Sequence, residues 1–504
     1  MFHENTSNAE SETFEVAQAR RRWSMLLLAI FTSLYGGFIA LCAFAYQWFS
    51  QIQWLGVPAP VWYGLGLIFL ALAIAGLYGH LTRLKSTSAL CLVALSLGCC
   101  LGASVGYSED KFESWTRFRG PNGQGVAPAN GVEVPWKNDS VKKVSLPGSG
   151  HGSPAVWGDR AFLMSADPKS AARYAIAVDL KKSEVAWSKS FDSQVHALHK
   201  FSSYASSTPC VDAENVYYAW ADPEHTFLKA FSHDGEEVWS RDFGRYVSQH
   251  GFGTSPIRVE DVIILLNSQD SEELPAGVAP GFDRMTAVDF RTGETRWETK
   301  LPTSRVCYGV PAVWEHDGKK ELVCSTTLQG MFGVNPATGE ILWNHDCFTQ
   351  RVCSSSVIAG DLLLGTHGSG GGRDNRLVAF DLVQKKERFR VTRSAPYVPS
   401  PLATGDTLFL WSDAGIVSCV DAADGKVLWN KRIGGDYSGS PIILGDLLMN
   451  VSHTGAVQVL RASREFEQLA TIETELTVRS TMVPTQDHLL LRGESELWII
   501  PQSK

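Results

Sequence analysis

The chain has 504 residues, 44% of them hydrophobic, and carries 45 Lys and Arg against 53 Asp and Glu, a formal net charge of −8. That length can bury a large core, and the acidic balance argues against a nucleic-acid surface. No Gly-rich phosphate loop, HExxH or Cys-x-x-Cys pair occurs after residue 108, which removes the short motifs that would announce a nucleotide or zinc enzyme.

The N-terminal residues 1–22 end in Arg20, Arg21 and Arg22, and from Trp23 to Thr82 there is no Asp, Glu, Lys or Arg. A second charge-free stretch runs from Ser86 to Ser108. Such composition predicts membrane helices, and three fit within residues 23–107: 23–49, 61–78 and 89–107, with Pro58 and Pro60 at the first turn. Arg83 and Lys85 lie between the second and third spans, while the loop 51–60 is uncharged. The positive-inside rule then puts residues 1–22 in the cytoplasm and everything after Ser108 outside it, giving a multi-pass protein of the inner membrane with a periplasmic domain. Within the spans, Cys99 and Cys100 read as small apolar packing groups.

An entry segment, 108–140, follows, and from 141 to 504 the chain repeats. Strands begin at Pro154, Pro209, Pro256, Pro311, Ser356, Pro401 and Pro441, mostly preceded by Ser, with Thr481 as a degenerate eighth; the spacing is 40 to 55 residues. The clearest copy reads Ser255-Pro256, Val262 to Leu265, Ala287-Val288-Asp289, Thr292-Gly293-Glu294 and Trp297. The closing aromatic recurs at Trp187, Trp239, Trp343, Phe389 and Trp429, and Gly293, Gly339 and Gly425 supply the positive φ of a tight turn. Each unit reads as a four-stranded antiparallel sheet that cannot bury its faces alone, which predicts an all-β, eight-bladed propeller. The last unit lacks a closing strand. Trp136 and Val144 to Leu146, ahead of the first anchor, are placed to supply it, so both termini close the ring.

These residues, with the entry segment Trp115-Thr116-Arg117-Phe118-Arg119-Gly120-Pro121-Asn122-Gly123, resemble the pyrroloquinoline-quinone-like (PQQ-like) β-propeller repeat family. That family holds quinone-dependent alcohol dehydrogenases and non-enzymatic propellers, among them the lipoprotein of the outer-membrane β-barrel assembly machinery. The dehydrogenase branch would imply PQQ, a vicinal disulfide, a calcium site with Glu, Asn and a catalytic Asp, and a Trp floor. No residue here carries over to those roles: the adjacent pair Cys99-Cys100 lies in the third predicted span, and no catalytic residue, cofactor or metal is assigned.

Loops joining one unit to the next should converge on one end of the central channel. They carry His151, His196, His199, His250, Arg305, Tyr308, Arg351, Tyr397, Tyr437 and Arg479. Of these, His151, His250, Arg305, Tyr308, Arg351, Tyr397, Tyr437 and Arg479 are the candidate ligand-binding set, suited to an anionic or aromatic group, against the plain alternative of ordinary polar loop. Asp270, Glu272, Glu273, Asp374 and Asp436 read as solvated loop acids. Cys307 and Cys353, similarly placed in consecutive units, are candidates for a bridge between blades, the alternative being buried thiols. The expected function is a membrane-anchored scaffold for an extracytoplasmic protein or ligand, with no nucleic acid. The alternative is a quinone- or metal-dependent oxidoreductase or accessory enzyme working at the channel mouth.

Overall fold

Hydrogen bonds between hydroxyls and backbone amides of neighbouring blades explain why Ser-Pro recurs. In the computed structural model the residue before each strand anchor donates its N–H to the hydroxyl of its counterpart one blade on: Ser153 to Thr208, Thr208 to Ser255, Val310 to Ser355, Ser355 to Ser400, Ser400 to Ser440, Ser440 to Thr481, and Thr481 back to Ser153, all at 2.9–3.0 Å. One link is missing, because Val310 offers no oxygen to the N–H of Ser255. Thr481 therefore stands in the serine's place, not the proline's as the 40-residue spacing from Pro441 suggests, and Met482 takes the proline's position.

The structure describes residues 114–501 continuously, together with 32–39, 53–54, 57–58, 62–64, 66–67 and 70–71. The chain divides into two units, Met1–Glu109 and Asp110–Lys504. In the first, the described residues are short helical pieces and one pairing, Gln53–Trp54 with Val57–Pro58. The predicted spans lie largely outside the described residues, the third wholly so. Among the described residues no helix is long and apolar enough to cross a membrane, so the three-span helical region is not a feature they show.

The second unit is the predicted propeller of eight sheets. Blade 1 consists of Ala155–Trp157, Arg160–Ala166, Arg173–Asp179 and Glu184–Phe191, each strand antiparallel to the one before it. The next six blades repeat that order. The eighth is Val483–Pro484, His488–Arg492 and Glu496–Pro501, closed by Lys142–Ser145 in the register Leu497 to Val144. Arg492, buried within this blade, reinforces the closure by donating to the carbonyls of Gly152 and Met164 and to the hydroxyl of Ser165 at 3.0 Å, all on the blade 1 side.

The outer tryptophans lock each blade to the next. Trp239 lies across from Ala230, whose small side chain leaves room for the indole, and its Nε1 donates to the carbonyl of Phe290 in blade 3 at 3.0 Å. Its ring covers Gly293, where an added Cβ would come within 2.8 Å of it, so this glycine is required by close approach as well as by its φ of 73°. Trp187 and Trp297 dock in the same way, on the carbonyls of His233 and Pro336. Trp343 departs from the pattern because blade 5 has Lys385 in place of the glycine. The indole stacks on Phe380 with ring centres 4.9 Å apart, beneath the Lys385 ammonium.

The entry segment plugs the channel. Trp115 and Thr116 accept hydrogen bonds from Val156 and Val211 in the inner strands of blades 1 and 2. Asn122 exchanges two bonds with Val313 in blade 4, and Val126–Ala127 adds a parallel strand to Ile442–Leu444 in blade 7. Arg117 and Arg119 are buried and donate to the carbonyls of Pro311 at 2.6 Å and Pro401 at 2.8 Å, immediately behind the hydroxyl ring. Burial brings the Arg117 guanidinium down to about 10 and, with Arg117 beside it, Arg119 to about 9.

Two stability tests follow from the ring. Val310→Thr is nearly isosteric and supplies the absent acceptor; a buried hydrogen bond contributes about 1 kcal/mol, which offsets hydroxyl burial. The variant should melt at or above the parent, whereas Val323→Thr, with no waiting donor, should melt lower. Deleting residues 141–147 should lower the melting temperature well beyond an equal deletion at 275–281, because only the first removes the strand that pairs with Glu496–Pro501. Equal losses would rule out closure by both termini.

Candidate functional site

In each blade the first strand starts, and the second and third strands join, at the same end of the ring. The hydroxyl ring, the inter-blade loops and the second-to-third turns therefore meet around one axial cavity of about 880 Å³. All eight ring positions line it, and Phe118 of the plug forms part of its surface. With the plug behind the ring, the cavity is a cup and not a through-channel.

The structure brings all eight candidate residues, His151, His250, Arg305, Tyr308, Arg351, Tyr397, Tyr437 and Arg479, to this one cup, along with His199. His196 stays out and packs edge-on against Tyr204. Sequence reasoning missed Phe201, Asp413 and His453. The last two sit in second-to-third turns, which antiparallel pairing puts at the same end as the inter-blade loops; that topology was the available signal. It also missed the ring hydroxyls, which were read only as strand starts.

The three arginines differ. Arg305 is ion-paired with Glu273, and Arg351 lies 3.8 Å from Asp270. Asp270 is not the solvated acid expected from its loop: it is 1% exposed, and its carboxylate accepts from the backbone N–H of Gln249 at 2.9 Å and of Val306 at 2.8 Å. Arg479 makes no ion pair among the described residues, although Glu494 and Asp436 act on its charge at longer range. Its Nη1 is buried without an acceptor, and the guanidinium lies 5.4 Å from the Phe201 ring centre.

Burial, assisted by Arg492, Arg479 and His453, pulls His151 down to about 3, and burial with Arg479 brings His453 to about 4. His250 is lowered by burial, then by Arg351 and His199. These three imidazoles are neutral at pH 7, and Arg305, Arg351 and Arg479 bring positive charge to the cup. Burial raises the phenols of Tyr308, Tyr397 and Tyr437, which remain protonated donors. Asp413 is raised by burial while accepting the backbone N–H groups of Tyr397 and Val398.

The cup does not match the donor set of a PQQ dehydrogenase. No Trp lines it, its one cysteine is Cys353, and among the described residues no three of His, Cys, Asp and Glu are grouped to hold a metal. Of the three acids lining the cup, Glu273 is engaged by Arg305 and Asp413 by backbone N–H groups, which leaves Asp436 alone and short of a metal's ligand set. Cys307 and Cys353 do not bridge blades: all six cysteines of the propeller are free, and the Cys307 sulfur lies 3.2 Å from the Thr327 hydroxyl.

An eight-bladed ring of Ser-Pro, Thr-Gly and Trp units, plugged on one side and open as a polar cup on the other, is a PQQ-like repeat propeller. The chain belongs to the family whose model is described as outer membrane protein assembly factor BamB, which it matches over residues 124–391 and 332–497. Residues 9–86 match a second model, a protein of unknown function, DUF485. Among curated proteins none matches the chain. Among solved structures, BamB from Moraxella catarrhalis is similar at 13% identity and a TM-score of 0.51, covering 70% of this chain and 96% of that one. The quinohemoprotein alcohol dehydrogenase from Comamonas testosteroni is similar at 10% identity and a TM-score of 0.56, covering 78% and 81%. At these identities the likeness is one of fold.

The cup histidines set an acid response. A histidine with a folded pKa below its unfolded value stabilises the fold above about pH 6.5, and that contribution is lost as pH falls toward the folded value. Asp283, raised by burial to about 7, acts in the opposite sense, so the parent must be compared with a variant. Between pH 7 and 4 the parent should lose more melting temperature than a His151→Gln, His453→Gln variant. Parallel profiles would show that these imidazoles are not held neutral.

Proposed function

We propose that this protein is a binding module: a rigid propeller whose working surface is the axial cup, held at a membrane by residues 23–107. The observation that carries the reading is the cup itself. Cations, phenols and hydroxyls converge on a recess whose far side is plugged, an arrangement that can retain a ligand or a partner's protruding segment but cannot pass it through. The BamB of the similar solved structure is named for a family of outer-membrane assembly factors, which favours a protein-binding or scaffolding role here. Support for the anchor comes from the charge-free stretches 23–82 and 86–108 and from Arg20 to Arg22, Arg83 and Lys85 on one side of them. On that basis the propeller belongs on the extracytoplasmic face of the inner membrane.

The rival reading, a quinone-dependent oxidoreductase, draws on the similar dehydrogenase fold but finds no matching donor set in the cup. Two measurements test the proposal. The full chain purified in detergent should show no quinone absorbance and no stoichiometric metal; a quinone chromophore would transfer the cup to the oxidoreductase reading. A photo-crosslinking residue replacing Phe201, exposed at the cup, should capture a partner or ligand that one replacing Val427, exposed on the outer strand of blade 6, does not. Equal capture at both positions would place the working surface elsewhere. For the anchor, a reporter fused after Ser108 should be active only outside the cytoplasm.

A further inference from the structure

The seven hydroxyls of the ring each accept a backbone N–H, yet none donates its own proton to a protein acceptor among the described residues. All seven line the cup. Its floor is therefore a ring of hydrogen-bond donors broken only at Val310. A hydroxyl that accepts one bond remains free to donate another, and donors gathered around one axis select a ligand rich in acceptor oxygens.

Two further features narrow the ligand. Of the three cup arginines only Arg479 makes no ion pair among the described residues; Glu494 and Asp436 act on its charge only at longer range, and its buried Nη1 has no acceptor among them, so one anionic group is wanted on the wall near blades 8 and 1. Aromatic faces lie within reach: Phe201 beside Arg479, Phe118 on the plug, and Tyr437, whose buried hydroxyl also has no partner. A cavity of about 880 Å³ is of the size that takes small molecules, which occupy roughly 300–1,000 Å³.

We infer that the cup binds an acidic saccharide, with its carboxylate or phosphate on Arg479, its ring oxygens on the hydroxyl floor and its apolar face against the aromatic side chains. A guanidinium pairs with either oxyanion through parallel N–H donors, and a sugar joins oxygen acceptors to a C–H face in one small body. A purely apolar ligand would leave the floor's donors unmet, and among the described residues lining the cup a polyanion would find one arginine outside an ion pair. This assignment rests on the cup being the working surface.

The test is calorimetric titration of the full chain in detergent with three probes: a glucuronate-containing disaccharide, glucose 6-phosphate and neutral maltose. At least one acidic probe should bind about tenfold more tightly than maltose. Arg479→Gln should remove that advantage, Arg479→Lys should keep part of it, and Arg432→Gln, on the exposed outer strand of blade 6, should change nothing. Melting curves of the variants confirm folding. Which acidic probe binds separates a uronic acid from a sugar phosphate. Equal affinity for maltose, or full affinity in Arg479→Gln, overturns the anionic subsite. No binding of any probe overturns the saccharide assignment, while capture from position 201 in the same preparation would leave the binding-module reading in place; loss of both would remove the two together.

Discussion

The whole domain depends on one contact repeated around an axis: the N–H at the head of one blade on the hydroxyl at the head of the next. A four-stranded sheet with two apolar faces has no preferred number of neighbours, so face packing alone would allow an open stack. The hydroxyl bonds remove that freedom. Each fixes the distance and angle between two inner strands, and the bond from Thr481 to Ser153 carries the run across the seam, leaving Ser255 to Val310 as its one gap among the described residues. The proline beside the hydroxyl residue suits the first position of a strand, where its missing N–H leaves no gap in the ladder.

The outer edge is governed by a second contact of different character. Indoles from one blade cover the turn glycine of the next and donate to a turn carbonyl, so the inner ring sets the angle between blades and the outer docking holds it. Ala177, Ala230 and Ala287 sit across from Trp187, Trp239 and Trp297, and the pairing register shifts immediately after each of these alanines. The "AVD" and "Trp" segments of the repeat are thus two halves of one device. In blade 4, Gly333 lies opposite Trp343, and the absence of a receiving glycine in blade 5 turns the indole into a stacking partner instead.

Blade number and strand order were legible because the same residue types recur in register from blade to blade, and closure by both termini because the last unit lacks an outer strand of its own. The single-copy features were not. Arg492 reads as an ordinary strand residue, and only the ring's closure makes it a clamp between blades 8 and 1. The entry segment was visible as a motif, but nothing local says that Arg117 and Arg119 reach carbonyls 194 and 282 residues away. The cup residues were found because loop order predicts which end they occupy. Their inequality was hidden, since Arg305, Arg351 and Arg479 are alike in sequence and differ only in which carboxylates the fold brings near. Asp270 shows the same limit: a loop position gives no hint that two backbone amides will hold its carboxylate in the interior.

The plug also bears on how the chain reaches its final state. Residues 115–127 and 142–145 leave the ribosome before any blade, yet their partners include Pro401, Ile443 and Leu497, hundreds of residues later. Trp115, Thr116 and Asn122 find their partners in blades 1, 2 and 4 as these are made, but Arg119, residues 126–127 and residues 142–145 cannot settle until blades 6, 7 and 8 exist. Most of the other pairings are local hairpins that form quickly, so the slow event is a single long-range docking that seals axis and seam together. In a repeat array that could otherwise gain or lose units by fraying, this arrangement turns eight modest modules into one all-or-none object.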